Sequence, residues 1–270
     1  MNCFTVQHRS NRVWYGTFPH FAEHYIKHGV STRLGGASVM PFASLNLGLH
    51  TGDDADAVKK NRKLFCDAVG VELDRVVTAE QIHGTKVAVV GEKDAGKGAI
   101  KYDEAVVGAD ALITNIPNLP LLLFFADCVP VLIVDPVHKA IGVSHAGWKG
   151  TVGRIAQKTV LAMQENFGTN PADCLVGIAP SIGPCCYEVD QMVVAQLKQN
   201  CTKWSELLTT HGSKWRLDLW LANQMQLEEI GVPTANIVVS KVCTACNTEL
   251  FFSYRAEKGR TGRIGAIISL

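Results

Sequence analysis

The most apolar stretch of the chain, residues 119–134, is broken three times, by Pro120, Asp127 and Pro130. It is too short and too interrupted to cross a bilayer. Strands are what it can form, and the runs 121–126 and 131–134 are apolar throughout. Continuous apolar runs of that length imply strands covered on both faces, with helices packed outside a sheet. Further β-rich runs lie at 76–82, 111–114, 140–144, 175–179, 237–240 and 264–268. Between them fall helix signals. Asp53 is placed to cap a helix with the apolar stripe Val58, Leu64, Phe65 and Ala68, stopped by Gly70. Thr151 is placed to cap a second, with Val152, Ile155, Thr159, Met163 and Phe167 on one face and Gly168 beyond its end. Asp190 and Asp218 can start two more, the latter ended by Gly231. No repeat or low-complexity linker divides the chain, and the polar segment 91–98 reads as a surface loop. The expectation is one domain over 1–270, a layered α/β (α+β) protein.

With 26 basic and 25 acidic residues the net charge is +1, so nothing pulls the chain toward nucleic acid or an anionic membrane. An anion site must then be local. The first ten residues hold no apolar signal segment, which points to the cytoplasm. Nine cysteines, an odd number scattered along 270 residues, do not make a disulfide framework and fit a reducing compartment. Cys243-Thr-Ala-Cys246 has no second CxxC to complete a zinc ribbon and reads as ordinary buried cysteines. Cys185-Cys186 reads as free thiols packed near a site rather than a strained disulfide. His20, His24 and His28 are spaced like helical metal ligands, but the segment runs into Gly29 and a loop.

No dinucleotide or P-loop fingerprint, GxSxG elbow or HExxH motif is present. Three other residues stand out at the ends of expected strands: His83 in Gln81-Ile-His-Gly84, Cys128 in Ala126-Asp-Cys-Val-Pro130, and His145 in Ser144-His-Ala-Gly-Trp-Lys-Gly150. Two imidazoles and a thiolate suit zinc, with a fourth position for water or substrate. The competing readings are separate core or surface residues, or a Cys128–His145 nucleophile–base pair of a cysteine hydrolase. Asp127, beside Cys128, is either a general acid/base or an orienter of His83 or His145. Trp148 could stack on a base, although a core position is the commoner role.

These segments, with Ile182-Gly-Pro-Cys-Cys-Tyr-Glu188, Ser31-Thr-Arg-Leu-Gly-Gly36, Ser44-Leu-Asn-Leu-Gly48, Asn61-Arg62, Gly108-Ala-Asp-Ala-Leu112 and Phe251-Phe-Ser-Tyr-Arg255, resemble the signature blocks of one bacterial family. It was once called multicopper polyphenol oxidase or laccase-domain protein and is now described as purine nucleoside phosphorylase. The resemblance implies an α/β/β/α sandwich with mixed sheets and a metal held by His83, Cys128 and His145. It also implies phosphorolysis of adenosine, inosine, guanosine and methylthioadenosine, with adenosine deamination. Ala256 departs from relatives that carry a second Arg after Tyr254-Arg255.

Phosphorolysis needs a phosphate pocket, and guanidinium forks match phosphate oxygens. The candidates are Arg33, beside Gly35-Gly36, together with Arg62 and Arg255. Arg62 falls inside the first expected helix, where a solvated face is the competing reading. A true laccase needs many imidazoles, commonly as His-x-His pairs, and the chain has no such pair. Copper is then an adventitious or alternative occupant of a His2Cys zinc site. The rival functions are a peptidoglycan-precursor editing hydrolase, a copper-dependent polyphenol oxidase, and a purine- or metal-binding module without catalysis.

Overall fold

The computed structural model describes residues 4–270. Its first six-stranded sheet runs, in spatial order, Thr5–His8, Trp14–Thr17, Lys27–Ser31, Ile264–Ser269, Leu121–Phe125 and Val77–Thr78. The second runs Ile237–Val239, Leu175–Ile178, Val129–Asp135, Ala140–Ala146, Ala111–Thr114 and Val87–Val89. Both are mainly antiparallel with parallel pairs at their edges. A small third sheet joins Glu188–Val189, Lys214–Leu217 and Leu208–His211.

The strand alternation explains the layering. Leu121, Leu123 and Phe125 face inward, onto Leu132, Val134, Ile141 and Val143 of the second sheet. Leu122 and Phe124 point the other way, into a cluster with Phe65 of the helix Ala55–Val69. On the far side Val131, Ile133 and Ala140 meet Ile155, Val160 and Met163 of the helix Ile155–Phe167. Both faces of each central strand are thus buried, each large apolar side chain contributing roughly 1.5–3 kcal/mol. The expected helix/sheet/sheet/helix sandwich is what the chain adopts.

Several local expectations are corrected. Asp54, not Asp53, caps the first helix, accepting from Ala57 N at 2.7 Å, while Asp53 accepts from the Asn46 amide. Thr151 caps nothing. It lies in the single turn Trp148–Val152, and the chain breaks at Arg154 (φ +65°) before Ile155–Phe167 begins. Asp190 and Asp218 do cap their helices. The run 76–82 shortens to Val77–Thr78, because the chain turns at Gln81 to His83 to reach Asp110. The amino-terminal strands and the third sheet, weakly patterned and partly exposed, were not expected. No helix among the described residues is long and apolar enough to cross a membrane.

Candidate metal centre and cavity

Three chain reversals deliver the three ligands. Residues 126–128 form the link that carries the chain from the first sheet to the second, with Asp127 at φ +82° and Cys128 just ahead of the strand Val129–Asp135. His145 lies one residue from the end of the neighbouring strand, paired in register with Pro130. His83 comes from the turn after Val77–Thr78, at φ +60°. The candidate ligand atoms of His83, Cys128 and His145 all lie within 4.8 Å of one another. The two rings meet edge-on, their centroids 4.8 Å apart.

The arrangement is organised by Asp110, which lies in the block Gly108-Ala-Asp-Ala-Leu112 but to which the sequence assigned no role. Its buried carboxylate accepts from the backbone N–H of Ile82, His83 and Gly84 at 3.2, 3.0 and 2.7 Å, and from His145 Nδ1 at 2.8 Å. One side chain thereby fixes the His83 turn and the His145 ring. These bonds and the His145 ring hold the Asp110 carboxyl below the usual carboxylate range, even though burial opposes it. Burial would also raise the Cys128 thiol, but the adjacent His145 and His83 win and bring it to about 6. In return Cys128 and Asp110 hold the His145 ring up at about 9, against burial. The pair favours thiolate and imidazolium, so a metal ion bound here would have to displace the second ring proton of His145.

Backbone must also pass close beneath the ligands. A Cβ at Gly147 would sit 2.9 Å from Cys128 Sγ and 3.3 Å from His83 Cδ2, so only glycine leaves the centre open.

The three residues line a cavity of about 400 Å³, within the usual range for small-molecule sites. Its walls include Phe124, Trp148, Ile182, Tyr187 and Tyr254, with Arg255 and Arg263 as cations. Trp148 thus lines the site as well as packing on the core beneath it. Of the three arginines expected for phosphate, only Arg255 is here, its guanidinium over the Tyr187 ring and donating to Glu188 O. Arg62 is 1% exposed, and it donates to Leu47 O, Gly98 O and Ala99 O while lying over Phe124. It ties the helix to two loops and does not reach the cavity. Arg33 is likewise spent on Ala43 O, Thr248 O and Glu257, away from the cavity. Arg263 and His50 line the cavity without having been expected; no motif marked them.

Asp127 lines the cavity but does not orient a ligand. Its carboxylate accepts from Thr244 Oγ1 and Arg255 N, both at 2.6 Å. It pins two loops, one of which carries Arg255. His20, His24 and His28 do not share one helix: His20 is in the turn Pro19–Ala22, and His28 is in a strand.

Comparisons with known proteins show the family and the fold. Residues 27–270 match the family described as multi-copper polyphenol oxidoreductase laccase. The chain is 44% identical to purine nucleoside phosphorylase YlmD of Geobacillus stearothermophilus, over 89% of this chain and 88% of that one. It is 35% identical to adenosine deaminase RL5 of an unknown prokaryotic organism, over 82% and 85%. Hypothetical protein YfiH of Bacillus licheniformis superposes with a TM-score of 0.93 at 37% identity, covering 98% of both chains.

Proposed function

This chain belongs to the multi-copper polyphenol oxidoreductase laccase family, and from that premise we propose that it is a zinc-dependent purine nucleoside phosphorylase that also deaminates adenosine. The whole chain acts as one catalytic domain. The observation that carries the reading is a His-Cys-His donor set on the floor of a cavity that also holds Arg255, Arg263 and several aromatic rings. The names of the relatives, one a phosphorylase and one a deaminase, point the same way.

The donor set fits zinc: two imidazoles and a thiolate, one imidazole oriented by a carboxylate. Copper, which binds such ligands more tightly, is an alternative occupant. A laccase's cluster is not supported, because the clusters of potential ligands among the described residues are this one and a group of four cysteines. His83, Cys128 and His145 would hold the zinc ion, which would supply Lewis acidity and activate water.

The protein's own groups perform the rest. Arg255 and Arg263 hold phosphate oxygens by charge-assisted hydrogen bonds. Tyr187, Trp148 and Phe124 offer flat surfaces for a purine. Asp127 positions Arg255 through its backbone N–H. Phosphate attacks C1′ and gives up its proton, the C1′–N9 bond breaks, and the departing purine takes up one proton, giving free base and ribose-1-phosphate. Placing both reactants in one cavity supplies much of the rate.

The test is hypoxanthine release from inosine by zinc-loaded protein as phosphate is varied. Release that rises with phosphate and saturates, with ribose-1-phosphate as co-product, supports the reading. Release indifferent to phosphate sinks it. A second reading, a cysteine hydrolase editing a peptidoglycan precursor, is favoured by the closeness of Cys128 Sγ to the His145 ring, within 4.8 Å. It requires Cys128 to be readily alkylated in active protein, whereas a ligated thiolate is protected.

A further inference from the structure

Cys185 and Cys186 lie some sixty residues from Cys243 and Cys246 in sequence, yet the structure brings them together. All four sulfur atoms lie within 4.8 Å of one another. Cys186 Sγ is 3.3 Å and Cys185 Sγ 3.5 Å from Cys246 Sγ. Four sulfurs around a tetrahedral ion at ~2.3 Å would stand ~3.8 Å apart, so little movement is needed to close the group on a cation. The contacts are far longer than the ~2.05 Å of a disulfide.

The cysteines are not there to fill a core, because Cys185 and Cys246 are exposed and only Cys243 is buried. The backbone is shaped around them instead. Gly183 N–H donates to Cys243 Sγ at 3.2 Å, a bond that favours the thiolate. A Cβ at Gly183 would stand 3.2 Å from Cys243 Cβ and 2.6 Å from the Trp220 ring, so this approach of the two loops requires glycine. Ser181 and Cys243 also pair as a parallel bridge, with Ser181 N donating to Val242 O and Thr244 N to Ser181 O.

We infer that Cys185, Cys186, Cys243 and Cys246 form a second metal site, a tetrathiolate for a thiophilic tetrahedral cation of the zinc class, separate from the His-Cys-His centre. Its role is structural. Binding releases the thiol protons to solvent and leaves no open position for substrate. The clamp joins two loops that build one side of the cavity. The first carries Ile182 and Tyr187, both lining residues. The second carries Thr244, whose hydroxyl holds the Asp127 carboxylate at 2.6 Å. The ion thus fixes the wall beside the catalytic centre without touching it.

Cobalt(II) is the probe, since thiolate-bound tetrahedral cobalt absorbs in the visible and near ultraviolet. Full-length Cys128→Ala, which lacks the thiolate of the His-Cys-His centre, is titrated with cobalt and then with zinc. One equivalent of cobalt should bind with intense thiolate absorption, and zinc should abolish that absorption. Adding Cys243→Ser and Cys246→Ser to the same chain should remove it. No thiolate absorption in Cys128→Ala, or absorption that survives the added serines, overturns the inference. Should the serine variant fail to fold, the unmutated chain decides by native alkylation and intact mass. Zinc should protect Cys185, Cys186, Cys243 and Cys246 together, and a chelator should expose them. Their labelling unchanged by zinc, or loss of two hydrogens through a disulfide within the group, overturns it equally.

Discussion

Asp110 Oδ1 lies 2.8 Å from His145 Nδ1 at a position fully closed to solvent. That bond assigns the ring's proton to Nδ1 in the metal-bound state and leaves Nε2 as the donor. The same carboxylate gathers three consecutive N–H groups of the His83 turn, so the placement of two ligands from distant segments depends on one side chain.

Asp110→Asn should therefore weaken zinc at the His-Cys-His centre about 10- to 100-fold. Competition with a chelator of known affinity measures this. Activity should return with excess zinc, because the ligands themselves remain. An unchanged zinc affinity would remove Asp110 from its role.

Cys128→Ala should abolish both phosphorolysis and deamination while leaving the melting temperature nearly unchanged, since a small half-buried thiol contributes little packing. Product chromatography from adenosine, with and without phosphate, separates the two reactions. Phosphorolysis that persists while deamination is lost would confine the metal's action to C6 of the purine.

The arginines should split by role. Arg255→Ala should raise the phosphate requirement about 10- to 100-fold, the equivalent of a charge-assisted contact of roughly 1.5–3 kcal/mol, with stability little altered. Arg62→Ala should act on folding, because it strands the buried carbonyls of Leu47, Gly98 and Ala99. A loss of about 3 kcal/mol or more in denaturant unfolding is expected, at roughly 1–3 kcal/mol for each stranded carbonyl. A folded Arg62→Ala protein with only a raised phosphate requirement would return Arg62 to the anion site.

Acid should destabilise the protein through His20. Burial, with help from His28 and His24, lowers this ring from 6.5 to about 4, against the opposing effect of the Val176 backbone. The unfolded chain takes up a proton near pH 6.5 and the folded one only near 4, so stability is full above 6.5 and falls as pH drops toward 4. The loss is at most about 3 kcal/mol. His20→Phe should flatten that part of the stability–pH curve in urea titrations between pH 4 and 7. A slope identical to wild type would refute the assignment.

Much of the fold was written in local pattern. The runs at 111–114 and 264–268 and the caps Asp190 and Asp218 were legible because burial on both faces and side-chain capping act within a few residues. His83, Cys128 and His145 were legible as a candidate metal site because each lies close to an apolar run, and the motifs around them resemble a known family. A guanidinium free to meet an anion and one that ties loop carbonyls look alike in sequence. Tertiary structure alone decided that Arg255 lines the cavity while Arg33 and Arg62 are bonded to carbonyls away from it. It also decided that Asp110, in a block that resembles the family's but carries no chemical motif of its own, holds the His145 ring, while Asp127 beside Cys128 does not. Likewise, no local spacing joins Cys185-Cys186 to Cys243 and Cys246. The pairing of Ser181 with Cys243 brings them within reach, and such long-range contacts depend on how the loops pack, which no short window of sequence encodes.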